Sequence, residues 1–221
     1  MKTYMNILKK PFLILILVVI SASGISQMDS ILLNNPGFED KPKMGGMTNE
    51  SIKGWGDCGK IKFPSETPPD IHPNGFWEVN NKAIEGKTYL GMVARDNGTF
   101  EFVGQKLKTS LMKGQKYEFS FFLAKAKIYT SRSRTTGNIV YYNMPIVFRI
   151  LGGESYCEVK EKLHETQPVD HHDWKKYVVI IEPKRDIHYI AIQAYFKSGT
   201  IMPYNGNILV DGLSSIYKIA E

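Results

Sequence analysis

An all-β, antiparallel β-sandwich is the fold class this sequence predicts, and three observations predict it. Apolar residues alternate along the chain and do not recur at the three-and-four spacing of a helix face. Gly, Pro, Asn and Asp break the chain at short intervals, as turns between short strands require. No stretch carries the helical period that a crossover connection would need, which argues against a parallel sheet.

The elements follow in order. Lys2, Lys9 and Lys10 precede an apolar run from Pro11 to Ile20, and small residues follow, with Gly24 and Ser26 placed for cleavage before Gln27. That is the layout of a signal peptide over residues 1–26, and the apolar run is short for a membrane span; the alternative is an uncleaved anchor. The remaining 195 residues, 27–221, show no internal boundary and are expected to form one sandwich domain in an exported protein that is periplasmic, cell-surface or secreted. Removing the leader takes three lysines and no acids, so the formal charge falls from +6 to +3. With no Lys/Arg block or basic helix, that charge excludes a nucleic-acid footprint, and no membrane span is expected once the leader is removed.

Ile31 to Leu33 reads as a first strand, closed by Asn34-Asn-Pro-Gly-Phe-Glu-Asp40. Thr88 to Arg95 and Thr99 to Leu107 read as two strands joined by Asp96-Asn97-Gly98, because Asn and Gly supply the positive φ of a tight turn. In Lys116 to Lys125, Tyr117, Phe119, Phe121 and Leu123 share a core face, leaving Phe122 on the more polar one. Further strands are expected at Pro145–Leu151, Trp174–Glu182, Ile187–Phe196 and Ile208–Lys218. Two stretches resist assignment. Residues 41–85 are rich in proline and carry Trp55, Phe76 and Trp77, whereas residues 128–142 are rich in Ser, Thr, Arg and Tyr and read as mobile. A long loop in a compact domain is usually functional or a packed cover, so a binding site is sought there.

If the first and last strands pair, Glu39 and Asp211 meet at one edge of the sandwich. Cys58 and Cys157 either form one disulfide, worth about 4 to 5 kcal/mol by loop entropy, or stand as two buried thiols.

Several segments, taken together, resemble the galactose-binding-like jelly rolls used as carbohydrate-binding modules, above all those of exported Gram-negative bacterial proteins. They are Asn35-Pro-Gly-Phe-Glu39, Gly54-Trp55, Thr67-Pro-Pro-Asp70 with Phe76, Gly86-Lys-Thr-Tyr-Leu-Gly91, Glu101-Phe-Val103, Leu111 to Tyr117, Trp174 and Leu209-Val-Asp-Gly-Leu213. They keep family order over nearly the whole mature chain. The resemblance implies a jelly roll and a non-catalytic module that binds a glycan or envelope polysaccharide. It also implies a structural calcium joining the first-strand motif to the last strand. The matching positions are Glu39 and Asp211, with carbonyls near Gly37 and Lys41 as further donors, a hard-oxygen set of the type calcium takes; the competing reading has Glu39 capping backbone N–H groups and Asp211 in a turn before Gly212. Sugar binding in such modules uses aromatic platforms and polar groups, which points to Phe76, Trp77, Tyr141, Tyr142, Arg149, Gln193 and Tyr195. The competing reading makes Phe76 and Trp77 a cover over the core. Trp55 and Trp174 match structural positions, and Tyr129 and Tyr204 receive no role.

Two other function classes stand beside glycan binding. An envelope interaction or assembly protein would expose a contiguous apolar patch around Phe122 and the Lys41–Glu85 loop. A glycan hydrolase would need two carboxylates in one cleft, for which Glu118 and Asp70 are the candidates. His171-His172-Asp173 lacks zinc-ligand spacing, and no nucleophile elbow or phosphate loop occurs.

Overall fold

The computed structural model describes residues 29–48, 51–61 and 66–220. The leader expected over residues 1–26 lies outside these. Among the described residues, no helix is long and apolar enough to cross a membrane.

The chain is an antiparallel jelly-roll β-sandwich. Its strands are β1 (Ser30–Ile31), β2 (Gly56–Asp57), β3 (Asp70–His72), β4 (Tyr89–Ala94), β5 (Phe102–Leu111), β6 (Tyr117–Ala124) and β7 (Thr130–Arg132). These are followed by β8 (Ile139–Tyr141), β9 (Val147–Gly153), β10 (Glu161–Glu165), β11 (Lys175–Ile181), β12 (Ile187–Tyr195), β13 (Gly206–Asp211) and β14 (Ile216–Lys218). Among the described residues, a one-turn helix α1 (Gly45–Thr48) and a tight turn at Phe76–Glu78 are the helical pieces. The larger sheet runs β1-β14-β6-β13-β4-β3, with β11 on the other side of β6; the smaller runs β10-β9-β12-β5-β2.

The period-two pattern decides which side chains fill the space between the sheets. Tyr117, Phe119, Phe121 and Leu123 face the smaller sheet's Phe148, Ile150, Ile190, Ile192 and Ala194 in one continuous core. Leu90, Met92, Ile208 and Val210 join it from β4 and β13. The other face of the larger sheet carries Tyr89, Val93, Ala124 and Leu209, which pack under the connecting loops with Tyr129, Tyr142, Trp77 and Trp174. That loop-covered face is where the candidate site lies.

Two expectations are corrected. The Asp96–Gly98 turn forms, with Gly98 at φ 83° and Asn97 Oδ1 accepting the Thr99 N–H at 3.1 Å, but its strands share little ladder. After the Ala94–Phe100 bridge, β4 stays in the larger sheet and β5 crosses to pair with β12 and β2. The turn is therefore a corner of the sandwich, because Glu101 turns inward against Arg95 at the crossing point. The 128–142 stretch is a β7–β8 hairpin and not a mobile loop. Asp96 anchors it, accepting the Ser133 hydroxyl at 2.6 Å and the Arg134 N–H at 2.9 Å.

Cys58 and Cys157 are joined, with Cα atoms 5.2 Å apart. The bond ties the 56–59 segment to the loop after β9, beside Phe102 and Leu151 on the smaller sheet's outer face.

Candidate functional site

The first-strand motif closes the barrel-like edge as a clasp. β1 pairs with β14, Ser30 opposite Tyr217, and the Leu213 N–H donates to Pro36 O at 3.1 Å. Phe38 is fully buried against Trp55, whose Nε1 donates to Asn35 O at 3.0 Å, so that tryptophan is structural. Glu39 and Asp211 both turn to the loop over residues 84–88. Asp211 Oδ2 accepts the N–H groups of Ile84 and Glu85 at 3.0 and 3.2 Å, and Oδ1 accepts that of Gly212 at 2.7 Å. Glu39 Oε1 accepts the Lys87 and Thr88 N–H groups at 2.9 and 3.4 Å. Gly86, at φ 58°, is required here, because a Cβ would lie 1.9 Å from Glu39 Oε1. Burial pushes Asp211 up to about 6 against its three N–H bonds, and Glu85 adds to the rise.

Both oxygens of Asp211 and Oε1 of Glu39 are therefore engaged by backbone donors. Among the described residues, no group of three or more His, Cys, Asp or Glu side chains is arranged to hold a metal. Calcium takes about six to eight oxygens, of which the two clasp carboxylates would supply at most four.

The covered face of the larger sheet gathers a different set. Asp70 and His72 sit two apart on β3 and share the outer face, while Ile71 between them enters the core. Asp70 Oδ2 accepts Trp77 Nε1 at 2.9 Å and the Tyr129 hydroxyl at 3.0 Å, and its Oδ1 accepts the Gly45 N–H at 3.0 Å. Trp77 stacks on Tyr129, ring centroids 6.2 Å apart and planes within 12°. Both Trp77 and Glu78 hold left-handed backbone, φ 58° and 64°, in a turn whose rings and bonds fix it. Beside them Arg95 pairs with Glu101, lies 3.7 Å from Glu66 Oε2, and donates through Nη2 to Glu66 O at 2.8 Å. Burial holds Asp70 and Glu101 above the usual carboxylate range; Arg95 pulls Glu101 back, and the charge of Asp70 adds to its rise. A cavity of about 40 Å³ remains between these groups and Met47, Ser131 and Arg134.

A second, open cleft of about 440 Å³ lies on the other side of the 76–78 turn, lined by Glu78, Asn80, Asn81, Lys127, His172 and Asp173. Next in sequence to the lining residue Asp173, Trp174 donates Nε1 to Lys82 O at 2.8 Å and sets its edge on Tyr89, ring centroids 5.3 Å apart.

The predicted sugar-binding residues are split by this arrangement. Trp77 and Tyr142 line the small cavity, yet Tyr142 is 1 % exposed and its hydroxyl donates to Arg132 O, so it is a wall and not a platform. Phe76 (37 % exposed) and Tyr141 (65 %) point outward. Arg149, Gln193 and Tyr195 belong to β9 and β12 of the smaller sheet and do not join the others. Arg149 sits 3.6 Å above the Tyr195 ring and pairs with Glu165 at 2.5 Å, while Gln193 is buried. Sequence spacing could not separate the two sheets' outer faces. Nor does Asp70 meet Glu118; its acidic neighbours in the cavity are Glu66 and Glu101. Sequence reasoning assigns no site role to Arg95 and Glu101, although an opposite-charge pair flanking the Asn-Gly turn is a readable signal. The His171 ring contacts Asp173 O and the Tyr177 hydroxyl, as loop histidines do.

No family model matches this chain, and no curated protein matches it. Solved structures do. A cyclase from Fischerella sp. TAU superposes with a TM-score of 0.53 at 14% identity, over 87% of this chain and 98% of the cyclase. An arabinose-bound α-L-arabinofuranosidase gives 0.50 at 10% identity, over 89% of this chain and 27% of that one. A xylan-binding domain from Paenibacillus barcinonensis gives 0.48 at 13% identity, over 88% and 97%. The likeness is one of fold, the β-sandwich that the sequence resemblance implied.

Proposed function

We propose that this chain is an exported, non-catalytic module that binds a glycan on the loop-covered face of its larger sheet. The observation that carries the proposal is the pair of cavities flanking the Phe76–Glu78 turn. The open one is of ligand size, about 440 Å³, and is lined by amide, carboxylate, ammonium and imidazole groups, with Phe76 exposed in the same turn. Such mixed donors and acceptors suit the hydroxyl groups of a sugar, and an aromatic edge suits its C–H face. The carboxylates on this face are engaged in structure, Asp70 with Trp77 and Tyr129, Glu101 with Arg95 and the Val93 N–H. That supports binding over hydrolysis. The leader-like residues 1–26 and the disulfide support export to an oxidising compartment.

A glycan array and a polysaccharide pull-down test the reading. The mature chain binds at least one glycan, and Asn80→Ala combined with Lys127→Ala weakens that binding tenfold or more without moving the melt. An array blank at millimolar glycan rejects the proposal.

A second reading rests on a separate observation. Val178 and Ile180 are 57 % and 52 % exposed on β11, facing out beside half-buried Phe122. A protein partner docking there would be weakened by Val178→Lys, which leaves glycan binding intact.

A further inference from the structure

Among the described residues, the small cavity behind Trp77 is bounded by a buried donor that no protein group accepts. Arg95 is 4 % exposed, and its Nη1 has no hydrogen-bond partner; the nearby Glu66 Oε2, at 3.7 Å, is an ion-pair contact without hydrogen-bond geometry. A buried guanidinium N–H left unpaired is costly, so the cavity is built for an acceptor. The remaining walls narrow its chemistry. Asp70, Glu66 and Glu101 crowd the same space and would repel an anion, whereas Arg95 and Arg134 would repel a cation. An apolar group would leave Nη1 unpaired. A hydroxyl group suits the site, since it accepts from Nη1 and donates to a neighbouring carboxylate oxygen. The volume of about 40 Å³ holds about three waters, which is room for a hydroxyl-bearing arm and not for a sugar ring. Trp77, stacked on Tyr129, forms the wall against which the ring carrying that arm would rest.

We propose that this cavity is a terminal subsite, taking a hydroxyl-bearing arm of the last sugar of a chain, so that the module reads glycan ends and not chain interiors. The proposal rests on the glycan reading above and specifies how the glycan is held. An extended chain lying across the face would meet the Phe76–Glu78 turn, which separates this cavity from the open cleft: Trp77 lines the first and Glu78 the second. The arm of the end unit enters the cavity beside Met47, which is 59 % exposed, and the adjoining unit lies in the open cleft past Glu78.

Calorimetric titration with the best array ligand, its monosaccharide and its hexasaccharide tests this. The monosaccharide binds within tenfold of the hexasaccharide, and units beyond the second change affinity less than threefold. Met47→Trp, which blocks the mouth from an exposed position, lowers affinity at least tenfold at an unchanged melting temperature. Affinity that climbs tenfold or more with chain length, together with parental binding by Met47→Trp, overturns the end-reading site while leaving glycan binding intact. No binding by any ligand overturns both.

Discussion

Replacing Trp77 with alanine decides whether this ring is part of the packed cover. The change removes the stack on Tyr129, worth about 0.5 to 1.5 kcal/mol beyond burial. It also removes a donor to the Asp70 carboxylate, a bond to a charged group worth about 1.5 to 3 kcal/mol. Together these destabilise the domain by about 2 to 4 kcal/mol, or roughly 4 to 16 °C in melting temperature for a domain of this size. Backbone strain offers an internal control. Alanine at φ 58° keeps the left-handed penalty, so Trp77→Gly should melt above Trp77→Ala by about 1 kcal/mol. Trp77→Phe keeps the ring and loses only the N–H bond, and should fall between the parent and Trp77→Ala. Differential scanning calorimetry on the four proteins reads all three comparisons. If Trp77→Ala melts with the parent, the ring is a free platform, and the packing deduced for this face is wrong.

Other outcomes follow from the same structure. The double variant Cys58→Ser/Cys157→Ser, whose lost bridge spans 99 residues, should lose about 4 to 5 kcal/mol, seen as an earlier denaturant midpoint; the reduced parent should match it. At the clasp, Asp211→Ala orphans three N–H groups and should cost roughly 3 kcal/mol or more, while EDTA should leave the parent's melt unmoved. A chelator-induced drop of several degrees would instead show calcium at Glu39 and Asp211. His72 is fully buried, and burial holds its pKa down to about 4 from 6.5. The unfolded chain thus takes up the proton first as pH falls from 6.5 to 4, and the fold loses about 3 kcal/mol across that window from this group. His72→Phe should remove that loss, and chemical denaturation at pH 7 and pH 4 would show equal acid sensitivity if the assignment were wrong.

Local chemistry made much of the architecture readable before any coordinates. Alternation in Lys116–Lys125 assigned Tyr117, Phe119, Phe121 and Leu123 to the core because a strand has period two whatever it packs against. Asn97-Gly98 announced its turn because few residues tolerate positive φ, and the pairing of the first and last strands brought Glu39 and Asp211 to one loop. What a strand pairs with is a different matter. The step of β5 into the opposite sheet after Glu101 depends on where β12 lies, 80 or more residues later, and no local pattern records that. For the same reason Arg149, Gln193 and Tyr195 looked like partners of Trp77 until the two sheets put them on opposite outer faces. The sequence alone thus determined the class of fold, the core faces and the loops worth searching, since these follow from residue type and neighbour spacing. Only the tertiary structure decided that Cys58 meets Cys157, that five backbone N–H groups fill the clasp, and that Arg95 is left with an unpaired donor behind Trp77. Those are long-range encounters, set by how two sheets and their loops close on one another.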